Sequence, residues 1–416
     1  MTLQHTTPEN VGVSSERLAR IGPAMQAWID EGTIAGASMM VARRNRIVHG
    51  EEIGQMDKDG GVPMPMDAIF RIYSMTKPIV CTALMTFYEE GHFQLITPAS
   101  KFIPSLGRPR VLRQDPSGTV KEEDLQSPIT MGDLMKHTAG FTYDMVDDSK
   151  VAELYRQAQL IHNGSRTLEQ FVDTLARLPL AHQPGTIWHY SVSIDVAAHI
   201  IEILADRPLG DVLRERIFEP LGMVDTGFFV PEAKLSRCAT MYGVGDITGL
   251  DMTVSKMMAA TERGAWGPLD VSHTYPVARP ETFARGGHGL FSTTQDYMRF
   301  ALMLIGNGAL DGARILGRKT VELMHANHLP SELLPFEDAG VTFDGYGFGL
   351  GSRTMMDVGA AGIPGSIGEF GWAGAASTYY WVDPAEELVG VFMTQYQGMN
   401  EPEKAFRVLV YQAISD

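Results

Sequence analysis

Apolar side chains recur at helical spacing near the start of the chain. Leu18, Ile21, Met25 and Trp28 share one face of a helix expected from about Ser15 to Glu31, with Ser15 as its cap and Gly32 and Gly36 ending it. The period then changes. Two β-rich runs, Ala37-Ser-Met-Met-Val-Ala and Arg46-Ile-Val-His-Gly, flank polar Arg44-Asn45 in the pattern of a hairpin. A loop rich in Pro, Asp and Gly leads to Ala68-Ile-Phe-Arg-Ile-Tyr, and after Ser74 the helical period returns. Ile79, Val80, Ala83, Leu84 and Phe87 form its apolar side, and Gly91 stops it.

From about residue 96 to 290 the pattern differs. Polar stretches such as Gly107 to Pro128 alternate with helical runs at Leu168–Leu178, Val192–Leu204 and Leu209–Ile217. Strand patterns return in Tyr346-Gly-Phe-Gly-Leu-Gly, in Ala375-Ala-Ser-Thr-Tyr-Tyr-Trp-Val-Asp-Pro and in Leu388-Val-Gly-Val-Phe-Met-Thr-Gln. A last amphipathic helix is expected over about Glu403–Ile414. There is no internal repeat. These elements predict an α+β fold, with one antiparallel sheet built from both chain ends, flanked by helices, and a mainly helical inserted domain. The expected division is 7–95 with 291–416 for the sheet domain and 96–290 for the helical domain, with the active site between them.

A chain of 416 residues exceeds what one core usually serves, which agrees with two domains. Its formal net charge of -16 disfavours a nucleic-acid partner, because phosphate contacts need clustered Lys and Arg. Cys81 and Cys238 are too few for a disulfide framework and read as free thiols. The opening MTLQHTTPENVGVSSERLAR has no basic start followed by an apolar run, and no segment has the apolar length to span a bilayer. The expectation is a cytoplasmic protein with no membrane partner, its oligomeric state open.

Chemistry first shows at Ser74-Met75-Thr76-Lys77. If Ser74 opens a helix, Lys77 lies one turn on, with an amine in reach of the hydroxyl. A helix start also offers free N–H groups and positive dipole to a developing oxyanion. A Ser-x-x-Lys match arises about once by chance in a chain of this length, so context decides. Here a strand precedes, an apolar helix follows, and Pro78 sits in the first turn. Two further segments stand out. Gln183-Pro-Gly-Thr-Ile-Trp-His-Tyr190-Ser-Val192 falls in a turn before a helix. Gly371-Trp372-Ala373-Gly374-Ala375 opens a strand where glycine admits close approach of a ligand.

The combination resembles the serine β-lactamase and penicillin-binding-protein superfamily, and most closely its β-lactamase-like carboxylesterases, esterase family VIII. The likeness extends to Phe70-Arg-Ile-Tyr-Ser-Met-Thr-Lys-Pro, Met135-Lys-His-Thr-Ala-Gly-Phe, Glu219-Pro-Leu-Gly-Met-Val-Asp-Thr, Gly286-Gly-His-Gly-Leu-Phe-Ser-Thr and Glu369-Phe-Gly-Trp-Ala-Gly-Ala-Ala, in the family's order. The resemblance implies a β-lactamase-like fold. It implies Ser74 as acylated nucleophile, Lys77 as its activating partner, and Tyr190 as second base and leaving-group acid. It implies an oxyanion hole from the N–H groups of Ser74 and Ala375, and substrate contacts from Trp372, Gly374 and Val192. No cofactor or metal is implied, and the partner is a small ester.

Two departures from the β-lactamase pattern bear on substrate. Trp372-Ala373-Gly374 replaces a Lys-Thr-Gly-like strand motif, removing a cation and a hydroxyl that would grip a substrate carboxylate. Val192 replaces an asparagine whose amide would bind an acylamino group. Both favour short-chain esters over penicillins. A β-lactamase, a D-amino-acid peptidase or amidase, and an acyltransferase would use the same serine. A catalytically silent binding protein is the non-enzyme alternative. The base stays open at this point. Holding a free lysine half neutral at pH 7 costs roughly 4.6 kcal/mol, which desolvation can supply, whereas a charged Lys77 would instead lower the pKa of Tyr190. The chain has no Gly-x-Ser-x-Gly elbow and no His-Glu-x-x-His zinc motif. His325 and His328 read as a helical surface pair.

Overall fold

The protein is described by a computed structural model covering residues 3–114, 119–146, 148–247, 252–261, 266–277, 284–338, 340–398 and 401–416. In chain order its principal elements begin with α1 (Ile21–Asp30), β1 (Gly36–Arg43), β2 (Arg46–Asp57), β3 (Val62–Pro63) and α2 (Thr76–Glu89). There follow β4 (Val111–Gln114), β5 (Val120–Glu123), α3 (Leu168–Leu175), α4 (Ser193–Ala205) and α5 (Thr294–Ile305). The last are β6 (Phe336–Asp338), β7 (Val341–Phe343), β8 (Tyr346–Phe348), β9 (Arg353–Met355), β10 (Phe370–Gly374), β11 (Thr378–Asp383), β12 (Leu388–Met393) and α6 (Pro402–Tyr411).

Eight strands form one antiparallel sheet in the order β8-β9-β10-β11-β12-β1-β2-β3. The two chain ends meet at its centre, where β1 pairs with β12 from Ser38↔Met393 to Arg43↔Leu388. Every residue of β1 is buried, so both faces of the sheet are covered. Side chains alternate accordingly. Met39 and Val41 join Ile21, Met25, Trp381 and Phe406 under α1 and α6, while Met40 and Ala42 join Tyr380, Val391 and Met298 beneath the helical layer. The β1–β2 turn is the expected one. Arg44 and Asn45 both have left-handed backbone (φ 51 and 58), the geometry of a two-residue hairpin.

Three elements differ from the sequence pattern. The helix expected over 15–31 is split into one turn, Ser15–Leu18, and α1, with Ser14 rather than Ser15 accepting from the Arg17 N–H. Pro23 explains the break, because it has no N–H for the Ala19 carbonyl and its ring crowds that turn. The strand expected from Ala375 begins at Thr378, since Ser377 is left-handed (φ 58) and 375–377 make a turn. The polar stretch 107–128, of which residues 115–118 lie outside the described set, carries the β4–β5 hairpin. Among the side chains of that hairpin that are described, only Val111 is deeply buried, so its strands show little of the apolar alternation that reveals strands.

Candidate active site

The pair Phe70–Arg71 and Phe291–Ser292 delivers the chain to a single 3-10 turn, Tyr73–Met75, from which α2 continues. Tyr73 is left-handed (φ 43), unusual for a bulky residue. Its ring, buried against Tyr275 at 4.9 Å between centroids, helps to hold that conformation. Ser74 follows directly and faces a cavity of about 260 Å3. The same cavity is lined by Tyr190, Trp372, Ala375, Asp338 and Phe343. A larger cleft, about 920 Å3, lies around His199, Glu202, Arg207 and Phe228 and includes none of the three residues of the Ser-Lys-Tyr set.

The three side chains singled out by the sequence converge. Lys77, in the first turn of α2 and only 1% exposed, places Nζ 3.0 Å from Ser74 Oγ and 2.7 Å from the Gly287 carbonyl. Tyr190 donates its hydroxyl to Ser74 Oγ at 2.6 Å and accepts from Trp372 Nε1 at 3.3 Å. Its ring is fixed among His137, Tyr143 and Trp372, at centroid distances of 4.7, 5.4 and 5.6 Å. Lys77 Nζ lies 4.4 Å from the Tyr190 ring centroid, so the ammonium, phenol and serine form one cluster.

Burial sets the protonation states. It lowers the Lys77 pKa to about 7, with Asp195 and then Asp338 pulling the other way. It pushes the Tyr190 phenol well above its ordinary value, with the charge of Asp338 adding to the effect. Burial also holds the His137 and His288 imidazoles neutral. Among the described residues no cluster of three His, Cys, Asp or Glu side chains fits a metal ion. His325 and His328 are not the helical surface pair expected: His325 is buried at the end of its helix and His328 lies beyond it, and their rings contact the carbonyls of Val321 and Leu323.

Of the residues expected to bind substrate, Trp372 and Gly374 line the cavity and Val192 does not. Val192 is fully buried at the start of α4, inside the helical core, so it presents no side chain to a ligand. Gly374 also has a second reason to be glycine. A Cβ there would lie 2.3 Å from the Ile72 carbonyl, where the end of β10 meets the segment leading to Ser74. Ala375 borders the same cavity as Ser74.

Three contributors were not singled out by the sequence. Asp195, in the first turn of α4, accepts the Gly287 N–H at 3.1 Å, and Gly287 in turn accepts from Lys77. An acidic residue there is also ordinary helix-start chemistry, which conceals it. The Gly287 carbonyl is backbone, and although Gly287 stands in the family-like segment Gly286-Gly-His-Gly, no side chain there marks its role. Asp338, at the end of β6, lies in the polar stretch Asn327 to Asp344, which the sequence marks as shaping the pocket without showing which of its residues reaches it.

The chain belongs to the beta-lactamase family, whose model matches residues 19–413. It is 34% identical over 371 residues to Protein Rv1367c of Mycobacterium tuberculosis, covering 88% of this chain and 87% of that one. It is 27% identical over 420 residues to Esterase EstB of Burkholderia gladioli, covering 97% of each. Among solved structures it is similar to EstCE1, described as a hydrolase with promiscuous acyltransferase activity, at TM-score 0.77 and 24% identity over 95% of this chain and 99% of that one. These likenesses agree with the β-lactamase-like α+β fold. No helix among the described residues is long and apolar enough to cross a membrane.

Proposed function

We propose that the chain is a serine hydrolase of small, short-chain carboxylic esters, acting through an acyl-enzyme on Ser74. The observation that carries this reading is Ser74 Oγ held between a buried amine at 3.0 Å and a phenol at 2.6 Å. With its pKa near 7, Lys77 is about half neutral at neutral pH, whereas Tyr190 stays protonated. That favours Lys77 as the acylation base. Its neutral amine accepts the Ser74 proton as Oγ attacks the ester carbonyl, and the N–H groups of Ser74 and Ala375 receive the developing oxyanion. Tyr190 protonates the leaving alkoxide and recovers its proton from the Lys77 ammonium. Water then repeats the sequence in reverse on the acyl-enzyme.

Esters are favoured over penicillins by what lines the cavity. Trp372 offers no positive charge to a substrate carboxylate, Asp338 would repel one, and Arg353, which also lines the cavity, is bound to Tyr379. The similarity to Esterase EstB supports the same choice. A silent scaffold is disfavoured because it would have no use for a lysine buried against its own solvation. The test is labelling by a fluorophosphonate together with hydrolysis of p-nitrophenyl butyrate. Both are expected for the native protein and both should be lost in folded Ser74→Ala. A folded variant retaining more than a few percent of activity would remove Ser74 from this role.

A further inference from the structure

Trp372 brings one polar side-chain atom to the cavity, its indole nitrogen, and the steps above make no use of it. That N–H donates to the Tyr190 hydroxyl oxygen at 3.3 Å, while Tyr190 donates its own hydrogen to Ser74 Oγ at 2.6 Å. The indole is held in place by its neighbours. Trp372 is buried, stacks over Phe343 at 6.3 Å with rings 23° apart, and meets Phe348 at 5.2 Å with rings 87° apart. Burial alone does not create such a bond. The Nε1 atoms of Trp188 and Trp381 are also buried, and they have no hydrogen-bond partner among the described residues.

An indole N–H can only donate, whereas a phenol hydroxyl both donates and accepts. Trp372 therefore occupies a lone pair of the Tyr190 oxygen and leaves the phenol hydrogen to point at Ser74. The bond gains weight once that hydrogen moves. As Tyr190 protonates the departing alkoxide, the phenol O–H bond breaks, the alcohol O–H bond forms, and the negative charge passes to the phenolate. The Lys77 ammonium, which carries the proton taken from Ser74, then restores the phenol. At 3.3 Å the Trp372 bond is long for a neutral pair, and N–H bonds to a charged oxygen are shorter and about twice as strong. It thus stabilises the charged state more than the resting one, which is the condition for speeding a step. Burial and the charge of Asp338 push the Tyr190 phenol up, and its bonds with Ser74 and Trp372 pull it back. Being neutral, the indole does this without adding a second cation beside Lys77.

We propose that Trp372 is a positioning residue of the proton-transfer step, whose indole N–H aims the Tyr190 proton at Ser74 and stabilises the phenolate left when that proton passes to the alkoxide. This rests on the ester-hydrolase reading.

The test replaces Trp372 alone by 3-benzothienylalanine, which keeps the shape and puts sulfur where the N–H was. It compares ethyl butyrate, whose alkoxide must be protonated to leave, with p-nitrophenyl butyrate, whose phenolate leaves unprotonated at neutral pH. In the replaced protein kcat/KM for ethyl butyrate should fall about tenfold or more, and that for p-nitrophenyl butyrate should change little. Equal losses for the two esters, as a packing or substrate-contact role would give, overturn the inference. No loss for ethyl butyrate does the same. A second measurement is independent of hydrolysis. In a proton–nitrogen NMR spectrum of the tryptophan indoles, the Trp372 signal is the one missing from the benzothienylalanine protein. It should move upfield in Tyr190→Phe, which keeps the ring and removes the acceptor oxygen, and an unmoved signal overturns the inference. If the native protein cleaves neither ester while that signal moves, the ester reading falls and Trp372 stands as the donor that orients Tyr190. Cleavage of both esters with equal losses does the reverse.

Discussion

Burial brings the Lys77 amine to a pKa of about 7, far below that of a lysine in water. Below that pH the ammonium cannot accept the Ser74 proton, so activity should be lost as pH falls through about 7. The expected kcat/KM profile for p-nitrophenyl butyrate rises with unit slope on the acid side and levels above the inflection. Asp195 opposes the burial by favouring the ammonium. Its replacement by Asn keeps an oxygen for the Gly287 N–H and removes the charge, so the inflection should move to lower pH. A shift upward, or none, would mean that Asp195 does not act on the lysine. Lys77→Ala and Tyr190→Phe should each cut turnover by about 10² or more. Because both touch the same hydroxyl, the double variant should be little worse than either single one. Fully additive losses would show that they do not share one proton-transfer network.

At the scale of elements, β10 is the strand that brings Trp372 and Gly374 to the cavity, and a buried ion cluster anchors it. Glu369, just before β10, receives Arg407 from α6, with Nη1 2.7 Å from Oε1, and lies 3.9 Å from Arg353 of β9. Removing the one acid leaves two buried guanidiniums uncompensated. Glu369→Gln should therefore cost about 3–5 kcal/mol of stability, read as a lower midpoint in urea. A loss under 1 kcal/mol would show that the cluster is not holding β10. None of this could be read from the chain, because Glu369, Arg353 and Arg407 are far apart in sequence and each looks like a surface residue. The elements that were legible are those whose cause is local. Arg44-Asn45 between two apolar runs makes a hairpin, and the apolar stripe after Ser74 makes α2. The split at Ala19-Arg20 was also local, and Pro23 marks it. The strands β4 and β5 in 107–128 and β6 and β7 (residues 115–118 and 339 lie outside the described set) were hidden for another reason. Their side chains are largely polar or exposed, and neighbours distant in sequence stabilise them. The site divides in the same way. Ser74, Lys77 and Tyr190 stand in motifs, whereas Asp195 and Asp338 act through placement, and Val192 lost its expected role because α4 turns it into the core.

Over the whole molecule, the sheet from the two chain ends supplies Trp372 and Gly374, the turn after β10 supplies Ala375, α2 supplies Lys77, and the segment before α4 supplies Tyr190, so substrate must fit where these parts meet. That space is about 260 Å3, small for a ligand cavity, and its walls are mostly apolar. Its one cavity-lining carboxylate, Asp338, has the wrong sign for a penicillin carboxylate, and Trp372 supplies no cation to offset it. A charge-assisted hydrogen bond is worth ~1.5–3 kcal/mol, so the missing grip alone lowers transition-state binding by roughly one to two decades. Repulsion from Asp338 adds to that loss. The prediction is a graded profile across p-nitrophenyl esters, with acetate to hexanoate cleaved readily, palmitate poorly, and nitrocefin weakly or not at all. Asp338→Asn should narrow the gap between butyrate and nitrocefin, because it removes the repulsion without supplying the cation. A specificity constant for nitrocefin at or above that for p-nitrophenyl butyrate in the native protein would place the activity with β-lactam hydrolysis instead. It would also mean that the substrate carboxylate draws on Arg353, which lines the cavity but is bound to Tyr379.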